Sequence, residues 1–249
     1  MRTNAAFIVW LVLSAGLFAQ DSIPAGTILP VQLNSSLKTE KARPGQSISA
    51  RVMQVVPLPA GAKIPAGAKV IGHVLAVKPA AHGTSVEISL RFDTLVSGSK
   101  QFTILTNLRA LASMMEVHEA QIPESGPDRG TSEYNWTTEQ IGGEVDYHAH
   151  GAIVRDSQIV GHSVADGVLV LVSSKPGAAC RGEVDGNDRP QALWVFSSDA
   201  CGLYGYENVN VTHAGRTPPV GDITLSSPKG ELNIRAGSGM LLRVNRGAP

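Results

Sequence analysis

The stretch "EVDYHAH", Glu144 to His150, gathers more residues able to do chemistry than any other in the chain. Laid out as a strand, its side chains alternate between faces. Glu144, Asp146, His148 and His150 then share one face, and Val145, Tyr147 and Ala149 the other. His-x-His on a strand with carboxylates beside it is a metal-ligand geometry, suited to zinc or a similar ion. The same alternation also describes a solvated strand face, and no second ligand motif accompanies it. His162 and Asp166 could add donors, but nothing in the sequence brings them there. The residues thus define a secreted metal-dependent enzyme at His148 and His150 as an alternative, while no metal ligand is assigned outright.

Other chemical signals are weaker. "VDGND", Val184 to Asp188, alternates oxygen ligands as a calcium loop does, but it lacks the distal Glu and reads better as a hairpin turn. There is no Gly-x-Ser-x-Gly elbow, phosphate loop, dinucleotide fingerprint or paired zinc motif. Ser, His and Asp are plentiful, so any triad chosen from sequence alone would be arbitrary. No catalytic residue and no cofactor are assigned. Trp136, Trp194, Tyr204 and Tyr206 could line a carbohydrate or peptide groove, although Trp194 in "ALWVFS" reads as core. "NSS", "NWT" and "NVT" fit glycosylation acceptors, which matters only in a eukaryotic secretory pathway.

The first twenty residues, "MRTNAAFIVWLVLSAGLFAQ", read as an export leader. Arg2 gives a positive start, Ala5 to Phe18 form an apolar run too short to span a bilayer comfortably, and small residues follow. Cleavage is expected after Ala19, leaving a periplasmic or extracellular chain with no transmembrane span. The alternative is an uncleaved segment anchoring the protein in the inner membrane. Export places Cys180 and Cys201, the two cysteines of the chain, in an oxidising compartment, where a single disulfide is the default. Closing a loop of that size stabilises a fold by ~3 kcal/mol in the chain-entropy view.

The chain of 249 residues has room for one large domain or two small ones. Its 21 basic and 21 acidic residues form no basic stripe or acidic tail, which argues against nucleic acid and anionic membranes as partners. Frequent Val, Ile and Thr and scarce helical patterning favour an all-β fold. "TILPVQLN", "QSISARVMQVV", "AKVIGHVLAVK", "TSVEISLRFDTLV" and "KQFTILTNLRAL" read as strands between Pro/Gly breakers. In the fourth, Val86, Ile88, Leu90 and Phe92 face one way and Glu87, Ser89, Arg91 and Asp93 the other. Residues 119–143 read as a linker or long loop. A β-rich insertion over 144–220 follows, bearing the Cys180–Cys201 disulfide, with strands "EVDYHAHGAIV", "DGVLVLVSS", "QALWVFSS" and "YENVNVTH". The expected fold class is therefore all-β: a barrel or sandwich of short antiparallel strands carrying a disulfide-containing insertion.

An apolar-Pro-Ala-Gly phrase recurs at Ile23–Gly26, Leu58–Gly61 and Ile64–Gly67. A fourth copy, with Arg235 for Pro, opens "IRAGSGMLLRVN" (Ile234 to Asn245), which follows "IPAGTILPVQLN" position for position. Pro fixes φ and removes a donor, and Gly supplies positive φ, so each copy reads as a tight turn feeding a strand. The matched ends suggest one sheet that the two termini complete together.

These residues carry a family resemblance. Ile23-Pro-Ala-Gly-Thr27, Pro44-Gly45-Gln46, Ile64-Pro65-x-Gly67 with Val70-Ile71-Gly72, and the closing "NIRAGSGMLLRVNR" resemble the C-terminal barrel domain of TrbI-like proteins. Those are outer-membrane core-complex components of bacterial type IV secretion and conjugation systems. The resemblance covers about residues 22–110 plus the last strand, and implies a barrel from 22–118 with 221–249. It departs from the family in lacking the inner-membrane helix, the Pro-rich periplasmic segment and the amphipathic helix pair that crosses the outer membrane. What it implies is a fold and a compartment rather than secretion. The expectation is an exported, non-enzymatic binding or structural protein of the cell envelope, with an envelope protein or polymer as partner. Membership of a secretion core complex is the further alternative.

Overall fold

The computed structural model describes residues 22–79, 85–122, 137–147, 152–155, 158–164, 167–170, 191–197, 200–228 and 230–245. The first segment holds β1 (Ile28–Leu33), β2 (Leu37–Lys38), β3 (Ser47–Val52), β4 (Val56–Pro57), β5 (Lys63–Ile64), β6 (Lys69–Lys78), β7 (Val86–Ser97), β8 (Lys100–Thr103) and β9 (Thr106–Ala112). A short helix, α1 (Met114–Glu119), follows, its N-terminus capped where Ser113 Oγ accepts from the Glu116 N–H. Next come β10 (Thr137–Gln140), β11 (Gly143–Tyr147), β12 (Ala152–Arg155), β13 (Gln158–Val164), β14 (Gly167–Val170) and β15 (Gln191–Trp194). The chain then adds β16 (Gly202–Tyr204), β17 (Asn210–His213), β18 (Ile223–Ser227), β19 (Asn233–Ile234) and β20 (Gly239–Val244).

Nine of these strands form one nearly closed, barrel-like sheet in the order β16-β9-β20-β1-β3-β6-β7-β18-β17, with β8 added to β7. The fold is all-β, as the patterning predicts. Alternation decides the walls. On β7 the residues Val86, Ile88, Leu90 and Phe92 are buried, and the intervening Glu87, Ser89, Arg91 and Asp93 are half-exposed. Inward residues of the neighbouring strands, among them Leu29, Val31, Ile48, Val70, Leu225 and Leu242, fill the interior. That burial is the principal driving force for closure, at ~25 cal/mol per Å² of apolar surface.

The recurring phrase does what its chemistry predicts. Gly26, Gly61, Gly67 and Gly237 all have positive φ. A four-residue turn closes behind Gly in every copy, by Ala62 N–H to Pro59 C=O (3.3 Å) in the Leu58 one; in the other three the bonds are Thr27 N–H to Pro24 C=O (3.2 Å), Ala68 N–H to Pro65 C=O (3.3 Å) and Ser238 N–H to Arg235 C=O (3.2 Å). With only the third residue at positive φ, these have the character of type II turns. The Leu58 copy differs, because Ala60 is also at positive φ (57°) and the turn joins β4 to β5. Nothing lies within 4 Å of a Cβ built on Gly67. Gly67→Ala should therefore lose only the conformational term, about 1–2 kcal/mol. A loss above ~3 kcal/mol in chemical denaturation would show that the site is crowded after all.

Three of the turns also tie off a neighbouring strand. Gly26 donates to Val244 C=O (2.8 Å) at the end of β20, and Gly237 donates to Leu33 C=O (2.9 Å) at the end of β1. Between them β1 and β20 pair antiparallel, Ile28 opposite Arg243 through Gln32 opposite Gly239. The matched phrases at the two ends of the sequence are thus reciprocal partners. β3 and β6 repeat the arrangement: Gly45 donates to Val74 C=O and Gly67 to Val52 C=O, both at 2.8 Å.

β10 to β15 form a separate six-stranded antiparallel meander in sequence order. Its ends approach through a bridge between Ile141 and Phe196. It meets the large sheet on the outer side of β1, β9 and β20, where Trp194, Phe196 and Ile141 pack with Ile28, Ala110, Ala112, Leu241 and Val117 of α1. This second core explains why β9 is buried along its whole length: one face looks into the barrel and the other is covered. Ile28 belongs to the covered outer side. Trp194 is core, as expected, at 0% exposure. Gly239 leaves the space, since a Cβ there would sit 2.9 Å from Val117 and 3.2 Å from the Phe196 ring.

The expected boundaries move in two places. β10 lies inside the 119–143 stretch read as linker and belongs to the meander. At the other end, β16 pairs with β9 and β17 with β18, so residues 202–213 belong to the large sheet and not to the insertion. The reason is burial: Leu203, Tyr206, Val209 and Val211 pack on the barrel core and cover its seam. Cys201 therefore stands at the barrel seam. It is not a free thiol; Cys180 lies outside the described residues. Non-reducing peptide mapping of exported protein should recover the two peptides linked; two alkylatable thiols would refute the pairing.

Candidate functional site

His148 and His150 lie outside the described residues, as do Asp166, Trp136 and the stretch from Val184 to Asp188. Glu144 and Asp146 fall on β11 and His162 on β13. Among the described residues no group of three or more His, Cys, Asp or Glu could hold a metal. Elemental analysis of purified protein tests the metal alternative, with a stoichiometric ion lost in a His148→Ala/His150→Ala variant as its required result. Tyr204 and Tyr206 are tied into the fold through their hydroxyls. Tyr204 Oη accepts from Cys201 N–H and donates to Cys201 C=O, each at 3.0 Å. Tyr206 Oη lies 3.0 Å from Ser238 Oγ, and burial pushes its phenol up, with Ser238 and Arg235 pulling the other way. Both tyrosines hold the seam strap.

The described residues do bring chemistry together elsewhere, on the outer wall of β3, β6 and β7. His73 Nδ1 lies 2.9 Å from Asp93 Oδ2, with the side chains 39% and 30% exposed. Asp93 reaches that position because β7 is bulged there: Gly72 pairs with Phe92 and Ile71 with Thr94, leaving Asp93 as the extra residue. The bulge requires glycine on the partner strand. A Cβ on Gly72 would lie 2.0 Å from the Arg91 carbonyl oxygen. Thr94 Oγ1 donates to the second Asp93 oxygen at 2.8 Å. Arg91, directly opposite His73 in register, is held by Asp222, with Nε donating to Oδ1 at 2.9 Å.

Ser47 stands opposite His73 on the other side, in the β3–β6 ladder. The Val74 N–H bonds the Gln46 carbonyl, so the next pair, Ser47 and His73, is a non-hydrogen-bonded one. Its side chains stand on the same outer face with Cβ atoms about 4.5–5.5 Å apart. Sequence reading grouped Asp93 with the polar face of β7 but could not connect it to His73. The detectable signal was a glycine at an inward position, Gly72 in "KVIGHV", facing a strand whose alternation slips at Asp93-Thr94.

The rest of this wall is also polar and cross-linked. Arg51 donates to Gln32 (2.7 Å), Asn34 to Ser49 (3.1 Å) and Lys78 to Glu87 (2.8 Å), and Ser89 pairs with Thr224 (2.8 Å). A barrel that crosses a membrane with strands turns an apolar band outward, whereas these strands turn theirs inward. No helix among the described residues is long and apolar enough to cross a membrane. Comparison with family models, curated proteins and solved structures finds no match to this chain.

Proposed function

We propose that this chain is an exported binding or structural protein of the bacterial cell envelope. In this reading a TrbI-like barrel is the scaffold and the six-stranded meander on its flank contacts an envelope protein or polymer. The observation that carries the reading is the division of labour in the fold. The large sheet is filled with apolar side chains, and its first and last strands pair with each other. The meander is seated on its outer side through Trp194 and Phe196, and in this reading it is the element that meets the partner. The TrbI-like phrases support the compartment, and the leader supports export.

The test has two parts. Expressed with its leader in a Gram-negative host, the protein should be recovered from the periplasm or medium with Gln20 at its N-terminus. Photo-crosslinkers placed in the meander should then give a discrete adduct that crosslinkers on the outer wall of β3 and β6 do not. Unprocessed protein in the cytoplasm would sink the export reading, and equal or absent crosslinking from both faces the partner reading. Co-migration of the adduct with a large envelope assembly would favour the core-complex alternative.

A further inference from the structure

The row Ser47–His73–Asp93 has a chemistry that the scaffold reading does not use. Asp93 bonds the Nδ1 side of His73 at 2.9 Å, which fixes the ring and leaves Nε2 to act as a base, the logic of nucleophile–base–orienter sites. Ser47, the cross-strand neighbour of His73, is exposed, and its hydroxyl has no hydrogen-bond partner among the described residues. Its backbone N–H likewise has no partner among the described residues. Even-numbered β3 residues bond β6 while Ser49 bonds Asn34 beside β1, so the Ser47 amide points past the end of β1. An unpaired amide on the nucleophile's own residue is one of the donors an oxyanion needs. Next to it, a Cβ built on Gly45 would meet nothing within 4 Å, so an incoming carbonyl has room.

We propose that Ser47 is an acyl-accepting nucleophile for small activated esters, with His73 as its general base and Asp93 as the positioning residue. Ser47 Oγ attacks the ester carbonyl as its proton passes to His73 Nε2, and the carbonyl π pair moves onto oxygen beside the Ser47 amide. The oxyanion collapses, the bond to the leaving oxygen breaks, and that oxygen takes the proton from Nε2. Water then attacks the acyl-Ser47 ester, gives a proton to Nε2 and releases the acid, and Ser47 recovers its proton. Arg91 is the charged neighbour of this row, held aside by Asp222.

The experiment treats the full mature chain with p-nitrophenyl acetate and with phenylmethanesulfonyl fluoride, followed by intact mass and peptide mapping. The expected result is a single acyl or sulfonyl adduct on Ser47, with a burst of about one equivalent of p-nitrophenolate. Ser47→Ala should abolish the burst, and His73→Gln should reduce its rate by about 100-fold, the usual range for a general base. Asp93→Asn should lower the rate by at least about 10-fold and change its pH profile, which a purely structural substitution would not do. All three variants alter exposed or half-exposed side chains, and near-UV circular dichroism confirms that they fold. Acetylation confined to lysines, or a burst unchanged in Ser47→Ala, overturns the proposal.

Discussion

Gly72→Ala is expected to cost more than about 4 kcal/mol, or to prevent folding outright, although it adds one methyl group. The added carbon would fall 2.0 Å from the Arg91 carbonyl oxygen and 2.9 Å from the Phe92 Cα. Both are backbone atoms of the adjacent strand, so no rotamer change relieves the clash; the β6–β7 ladder itself must open. Losses of this size are rare and come from a short set of causes, strain against backbone among them. The comparison with Gly67→Ala is the control, because there only φ is at stake. Urea denaturation of both variants decides the matter. A Gly72→Ala protein within about 1 kcal/mol of wild type would mean that the bulge at Asp93 is not held as described. The same variant should separate His73 from Asp93, so it also tests whether the bulge is what aims that carboxylate.

Trp194 sets up the second large effect, at the junction of the two sheets. Its ring is fully buried and meets Phe196 edge-on at 6.4 Å between centroids. Trp194→Ala should cost about 3–5 kcal/mol, the usual range for an emptied aromatic site. Two features oppose the ring's contribution. The backbone of Trp194 is at φ 53°, a region costly for a residue with Cβ, and its Nε1–H is buried without a partner among the described residues, which costs about 1–3 kcal/mol. Trp194→Phe keeps most of the ring and removes the stranded donor, so it should be neutral or stabilising by up to about 1 kcal/mol. Hydrogen exchange should place the Ala effect in β10 to β15 first, with the barrel strands less affected. Equal loss of protection across both sheets, or a Phe variant as damaged as Ala, would contradict this division.

Much of the architecture was legible because two local signals agree. Alternation on β7 specified its inner and outer faces residue by residue. Pro and Gly chemistry specified the turns at Gly26, Gly67 and Gly237 and pointed to the meeting of the two ends. What sequence could not show was which apolar strands are covered on both sides, since β9 reads the same whether its outer face meets Trp194 or another sheet. It also misplaced residues 202–213, whose half-buried alternation is equally compatible with an insertion and with a seam strand. The row at Ser47, His73 and Asp93 was illegible for a deeper reason. Its members sit on three strands with no motif spacing, and their proximity depends on a one-residue bulge that only the pairing register reveals.

The reciprocal pairing of β1 with β20 has a temporal consequence. A sheet in which the early strand β1 pairs with the late strand β20 cannot be assembled until β20 has been made. β1 has five partners in β20 and three in β3, so its longer ladder waits for the final segment to arrive. Long-range pairing of this kind makes folding slow, because the loop-closure entropy must be met before the contacts compensate. Until then the apolar sides of β1 and β9 have no settled cover, and the nascent protein stays open and extensible. Removing the last strand should consequently leave a chain unable to finish its core, whatever the state of the strands made before it.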